Sequence, residues 1–249
     1  MRPIIILLVL AAAIAAIIVY RRKNSNTSLE KMQIENQKDD FALMVEPDSA
    51  VSFGYKCIWI AVKTIDKDSV ASVLGLKNFM ACNWKFGIER AYENKVFVSP
   101  PVGNWTLAVG WGLTDFKTES EFDESVGLKQ KIDLLSKSFG EAQLFATHRV
   151  TEYHCWAKSV NGKTVRYYSY LGERLKNLLV EGSPTPVESV LNLVNTFSKE
   201  ANEDDYFERT DITFPDEDMV MKIAESWSVN PMLLEERKDI LPGLGLISK

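Results

Sequence analysis

Residues 3–20 read PIIILLVLAAAIAAIIVY, a run without a single charged side chain. As a helix it rises about 27 Å at ~1.5 Å per residue, close to the thickness of a bilayer's hydrocarbon core. It is apolar all round and has no polar face, so spanning a membrane suits it better than lying along one. A cleaved secretory signal is the rival reading. Such a signal carries a small-residue cleavage site after its apolar stretch, whereas this run passes straight into Tyr20, Arg21, Arg22 and Lys23. Its A-x-A patterns all lie inside the apolar run, and it has no cysteine for a lipoprotein signal. The expectation is a single-pass transmembrane anchor with a basic flank at 1–23, in the cell membrane, with the lipid bilayer as its partner. Arg21, Arg22 and Lys23 outweigh Arg2 and the terminal amine, so the positive-inside rule turns the rest of the chain toward the cytoplasm.

Residues 24–40 are polar and read as a tether. Residues 41–249 have the length of a single soluble domain. With 46% hydrophobic and 25% charged residues the chain has material for a core. The net charge of −5 and a pI near 5.3 repel phosphate backbones, which argues against nucleic acid as a partner. Cys57, Cys82 and Cys155 are odd in number and widely spaced, with no CxxC, so neither a disulfide framework nor a structural zinc site is expected. Free thiols agree with a reducing compartment.

Residues 57–65 are apolar and β-branched and predict a buried strand. Asp66 or Asp68 caps a short helix that ends at Gly75, and Asn83 caps a second that begins at Trp84. Strands are expected at 96–99 and 105–111. Residues 119–139 carry Val126, Leu128, Ile132, Leu135 and Phe139 on one helical face, with Gly140 at the end. Strands follow at 142–150, 153–160 and 164–171, the last two joined by an Asn161-Gly162 turn, and a short one at 178–181. Residues 186–197 predict a helix. Pro215 sits at the first turn of another, 216–227, with Asp216, Glu217 and Asp218 near its positive end, and a short third opens at Asn230-Pro231. The glycine-bearing stretch that closes the chain, PGLGLISK, is assigned to turns and a tail. The mixture of helices and antiparallel hairpins predicts an α+β fold, an antiparallel sheet with packed helices.

Three stretches, GNWTLAVGWG (103–112), GEAQLFATHRVTEYHCWAKSVNGKTVRYYSYLGE (140–173) and FPDEDMVMKIAESWSVNP (214–231), together resemble a family of uncharacterised bacterial proteins. The resemblance covers the chain from about Cys57 onward and excludes the anchor. It implies a bacterial source and one integrated domain, and it carries no catalytic residue with it.

His148 and His154 are the only histidines. In one unbroken strand His148, Glu152 and His154 share a face, a donor set usable for a metal or for acid/base chemistry near neutral pH. A turn at 150–152 would separate them, and their spacing matches no established metal motif. Cys155 neighbours His154 but points to the opposite face, which reads as a buried structural thiol. Trp156, Tyr167, Tyr168 and Tyr170, with Arg149 and Arg166, have the composition of a ligand or partner surface, or equally of sheet core with cross-strand pairs. Residues 200–218 are acidic without the spacing of a calcium loop, and read as a solvated loop or a docking patch for a basic partner. No nucleotide, serine-hydrolase, zinc-protease or kinase motif occurs, and no cofactor is called for. The expected function is a membrane-anchored interaction or binding domain, with an immunity-type role as one concrete form, rather than an enzyme. The alternatives are a metal-assisted hydrolase using His148, Glu152 and His154, and a structural envelope protein.

Overall fold

The computed structural model describes residues 44–114 and 125–248. The chain divides into two units, Met1–Val45 and Glu46–Lys249. The expected anchor and tether, and residues 119–124 of the expected helix, lie outside the described residues. Among the described residues no helix is long and apolar enough to cross a membrane.

Within the second unit the elements run β1 (Cys57–Val62), α1 (Lys67–Val73), β2 (Phe79–Cys82), α2 (Trp84–Ala91), β3 (Phe97–Val98), β4 (Thr106–Val109), α3 (Ser125–Phe139), β5 (Glu141–His148), β6 (Tyr153–Val160), β7 (Lys163–Leu171), β8 (Lys176–Glu181), α4 (Glu217–Trp227) and β9 (Gly245–Ser248). The strands form one sheet in the order β2-β9-β3-β4-β1-β5-β6-β7-β8. Every pairing in it is antiparallel. The fold is α+β, as the order of helices and hairpins predicts.

Both faces of the sheet are covered, which is why β1 is apolar at every position and buried throughout. On one face, Ile58, Ile60, Leu144, Ala146, Tyr153 and Cys155 meet Val70 of α1 and Leu128, Ile132 and Leu135 of α3. On the other, Phe145 packs against Trp227 of α4 at 5.7 Å, and Phe97 against Trp84 of α2 at 5.5 Å. A Cβ at Gly87 would lie 2.2 Å from the Phe97 ring, so only glycine lets α2 approach β3 this closely.

The helix ends follow the capping residues. Asp66 accepts from Ser69 N at 3.0 Å and Asn83 from Phe86 N at 3.0 Å. Asp48, distant in sequence, accepts from the amides of Trp84 and Lys85 at 2.6 and 3.0 Å. Asp216 caps α4 through Met219 N at 2.7 Å. Asn161 and Gly162 both take positive φ in the β6–β7 turn, as that dipeptide demands.

Two expectations fail here. Residues 186–197 form no helix: they turn once around Thr185 and Glu188 and then run irregularly along the sheet. The closing stretch is not a tail, because Gly245–Ser248 is an interior strand between β2 and β3. Strand β2 itself goes unpredicted. It is four residues long and has no polar alternation to reveal it.

Candidate functional site

The β5–β6 hairpin decides the fate of the two histidines. Thr147 lies opposite His154, and His148 opposite Tyr153. Cross-strand partners share a face and successive residues alternate, so His148 and His154 point to opposite sides of the sheet. The chain turns between them, with Glu152 held at φ +51°. The shared face expected for His148, Glu152 and His154 required an unbroken strand, and the turn removes it. Among the described residues no group of three or more His, Cys, Asp or Glu side chains is placed to hold a metal.

Each histidine has its own local partners. His148 Nδ1 lies 3.1 Å from Thr151 Oγ1, and its ring meets Trp111 edge-on at 5.7 Å. His154 is 4% exposed, with Nδ1 3.1 Å from the hydroxyl of Thr147. Burial pushes its pKa down to about 4, against a smaller upward pull from Asp216. The Thr147 hydroxyl has no solvent exposure, so it cannot meet a substrate as a nucleophile. Cys155 stands on the opposite face from His154, fully buried, its thiol pushed up to about 12 by desolvation.

The expected partner surface needs a second correction. Arg149 is half exposed; it pairs with Glu217 at 3.1 Å and lies over the Tyr55 ring at 5.2 Å. Trp156, Arg166, Tyr168 and Tyr170 are buried. The register lines up Trp59, Phe145, Trp156 and Tyr168 across four successive strands. Trp59 stacks on Phe145 at 5.2 Å and Trp156 on Tyr168 at 4.5 Å. An aromatic row this size makes a face that must be covered.

The cover over its β6–β7 end is residues 183–214, a strap without an α-helix or a named strand. Its main tie is Glu188, whose side chain is fully buried. Oε1 accepts from Trp156 Nε1 at 2.7 Å, Arg166 Nε at 2.8 Å and Arg166 Nη2 at 2.7 Å. Oε2 accepts from the amide and the hydroxyl of Thr185 at 2.8 and 2.7 Å. Burial alone would raise this carboxyl's pKa; the hydrogen bonds from Arg166, Thr185 and Trp156 outweigh it and hold the group below its ordinary value. Arg166 also donates to the carbonyl of Gly182 at 3.1 Å. Farther along, Tyr168 donates to Val194 O at 2.8 Å. Asn177 and Thr196 exchange two bonds of 2.9 and 2.8 Å, and Tyr206 accepts from Asn195 N at 2.8 Å. Tyr170 meets Phe214 at 6.0 Å.

So pinned, the strap turns large apolar side chains outward: Val190 is 82% exposed, Phe197 62% and Phe207 39%. The acidic loop is legible in the sequence; the role of Glu188 is not, although Thr185-Pro-Val-Glu188 fits the S/T-x-x-E capping pattern.

Architecture and site together define the class: an α+β domain with helices on both faces of an antiparallel sheet and a strap pinned over one end of it. No protein-family model, no curated protein and no solved structure matches the chain.

Proposed function

We propose that the chain is a membrane-tethered interaction domain, anchored by residues 3–20 and meeting a protein partner through the strap at 183–214. An immunity-type role, in which the domain neutralises a toxin by binding it, is one concrete form. The observation that carries the reading is the outward display of Val190, Phe197 and Phe207 from a backbone held at fixed points on the sheet. Isolated exposed apolar residues are ordinary on protein surfaces. Three on one pinned segment are a different matter, because a partner meeting them has little ordering cost left to meet. The bilayer tether adds effective concentration for a partner in the same membrane or beside it. The basic flank at Arg21, Arg22 and Lys23 turns the domain toward the cytoplasm in this reading.

The test is a photo-crosslinking side chain at position 197 of the full chain in its own membrane, with the same probe at Lys137 on the far face as control. A discrete adduct from 197 that is missing from 137 is expected. Equal labelling from the two positions, or none from either, sinks the interaction-domain reading. Resistance of the chain to alkaline extraction tests the anchor separately.

A further inference from the structure

At the end of β5 away from the histidine turn, two lysines share one carboxylate. Glu141 takes Lys158 at 2.9 Å and Lys63 at 3.6 Å. Each ammonium lies over an indole, Lys158 over Trp227 at 5.5 Å and Lys63 over Trp105 at 6.0 Å. Gln143 stands two residues along β5 on the same face and is fully buried. Its Nε2 donates to Glu141 Oε1 at 2.7 Å and to the Trp227 carbonyl at 3.2 Å. Those two acceptors fix the amide, because turned over it would set oxygen against oxygen twice. Gln143 Oε1, so placed, is buried and has no hydrogen-bond partner among the described residues. Neither has the hydroxyl of Ser228, the residue that follows Trp227 and caps α4. A buried polar atom without a partner is costly, and here an acceptor and a hydroxyl lie beside one amide. The rim above them reaches solvent: Glu141, Lys158, Trp105, Trp227 and Ser228 are half-buried, and Lys63 is exposed.

We infer that this place binds a free α-amino acid, with its carboxylate on the Ser228 hydroxyl and the Lys63 and Lys158 ammoniums, and its ammonium on Gln143 Oε1. The charges suit both ends of such a ligand. Two lysines against one carboxylate leave a net positive charge for the acid group. Helix α4 has no basic residue of its own in its last turn, so its carbonyl end favours the ammonium. A simple anion would leave Gln143 Oε1 without a donor. A simple amine would leave the Ser228 hydroxyl and the looser lysine, Lys63, without an acceptor. A zwitterion whose two charges are one carbon apart serves both orphaned atoms at once. The inference goes beyond the partner reading and does not depend on it.

The experiment titrates the protein amino acids, one at a time, into the full chain in lipid nanodiscs, read by calorimetry and by tryptophan fluorescence. At least one is expected to bind saturably below about 10 mM. S228A raises its dissociation constant about tenfold, and K63M several-fold. Without ligand, S228A does not lower the melting temperature, because that hydroxyl bonds nothing else in the fold. K85M, on α2, leaves binding as it was, and circular dichroism confirms that each variant folds. The matching hydroxy acid lacks the ammonium and the methyl ester lacks the carboxylate, so each binds at least about tenfold more weakly. Failure of every amino acid to bind overturns the proposal, as does binding to S228A at wild-type strength. A hydroxy acid that binds as tightly as its amino acid shows a site for anions alone, and an ester that does so shows one for amines alone; either result ends the assignment.

Discussion

Glu188 is a fully buried carboxylate with five hydrogen bonds, and the Arg166 guanidinium it holds is also buried. Glu188→Ala leaves that guanidinium in low dielectric without its counter-charge, which costs about 3–5 kcal/mol. The measurement is a urea titration, read as a lower midpoint with an unchanged slope. Replacing both partners by apolar residues, Arg166→Met with Glu188→Leu, recovers only part of the loss: no desolvated ion remains, but Trp156 Nε1 and the two Thr185 donors lose their acceptor. His154 sets a different dependence. Its folded pKa of about 4 lies below the unfolded value of 6.5. Between those pH values the unfolded chain binds a proton that the folded chain refuses, so stability falls as pH drops through the window and levels off beneath it. The full effect is roughly 3 kcal/mol at ~1.4 kcal/mol per unit. Denaturation midpoints from pH 7 to pH 4 report it, and His154→Gln flattens the slope. Glu141 and Glu188, both held below the ordinary 4.5, begin to lose their contributions as pH falls through 4.5, at the acid end of that range, and go on losing them below it.

Elements whose ends are marked by local chemistry were legible in the sequence. Asn83 caps the helix its position predicts, Asp66 rather than Asp68 caps the one before it, and Asn161-Gly162 turns where it must; Asp216, expected inside the first turn of its helix, caps it instead and leaves Pro215 outside. Asp216→Ala removes the cap of α4 and costs about 1 kcal/mol, readable as a fall in the melting temperature. The element that misled is 186–197. Val190, Leu193, Val194 and Phe197 have helical spacing, but Glu188 is drawn sideways to Arg166 and Trp156, and Val194 bonds Thr213 instead of a residue one turn back. Those partners are remote in sequence, so no local pattern reports them. The same holds for the aromatic row. Trp156, Tyr168 and Tyr170 were visible as a group, but whether a group of rings lies outside or inside depends on whether a distant strap covers it. The histidines teach a narrower lesson: residues 150–152 fit a strand or a turn, and the positive φ at Glu152 settles it.

At the scale of the molecule, the sheet keeps its thiols away from solvent. Cys57, Cys82 and Cys155 are buried, and burial pushes all three to about 12. A thiol reagent at pH 8 is therefore expected to leave the native chain unmodified and to titrate three thiols once denaturant is added. Reaction of one thiol in the native state would mean that part of the sheet opens readily. Two parts of the sheet differ in how they are wired. Strands β5 to β8 form a meander of neighbours in sequence, whereas β2, β9 and β3 are joined across most of the domain. That wiring sets a timetable for biosynthesis. The meander has all its strand partners as soon as it leaves the ribosome. The other margin stays unfinished until Gly245–Ser248 emerges and slides between two strands made long before, so a nascent chain stalled short of that point offers β2 and β3 to chaperones and proteases.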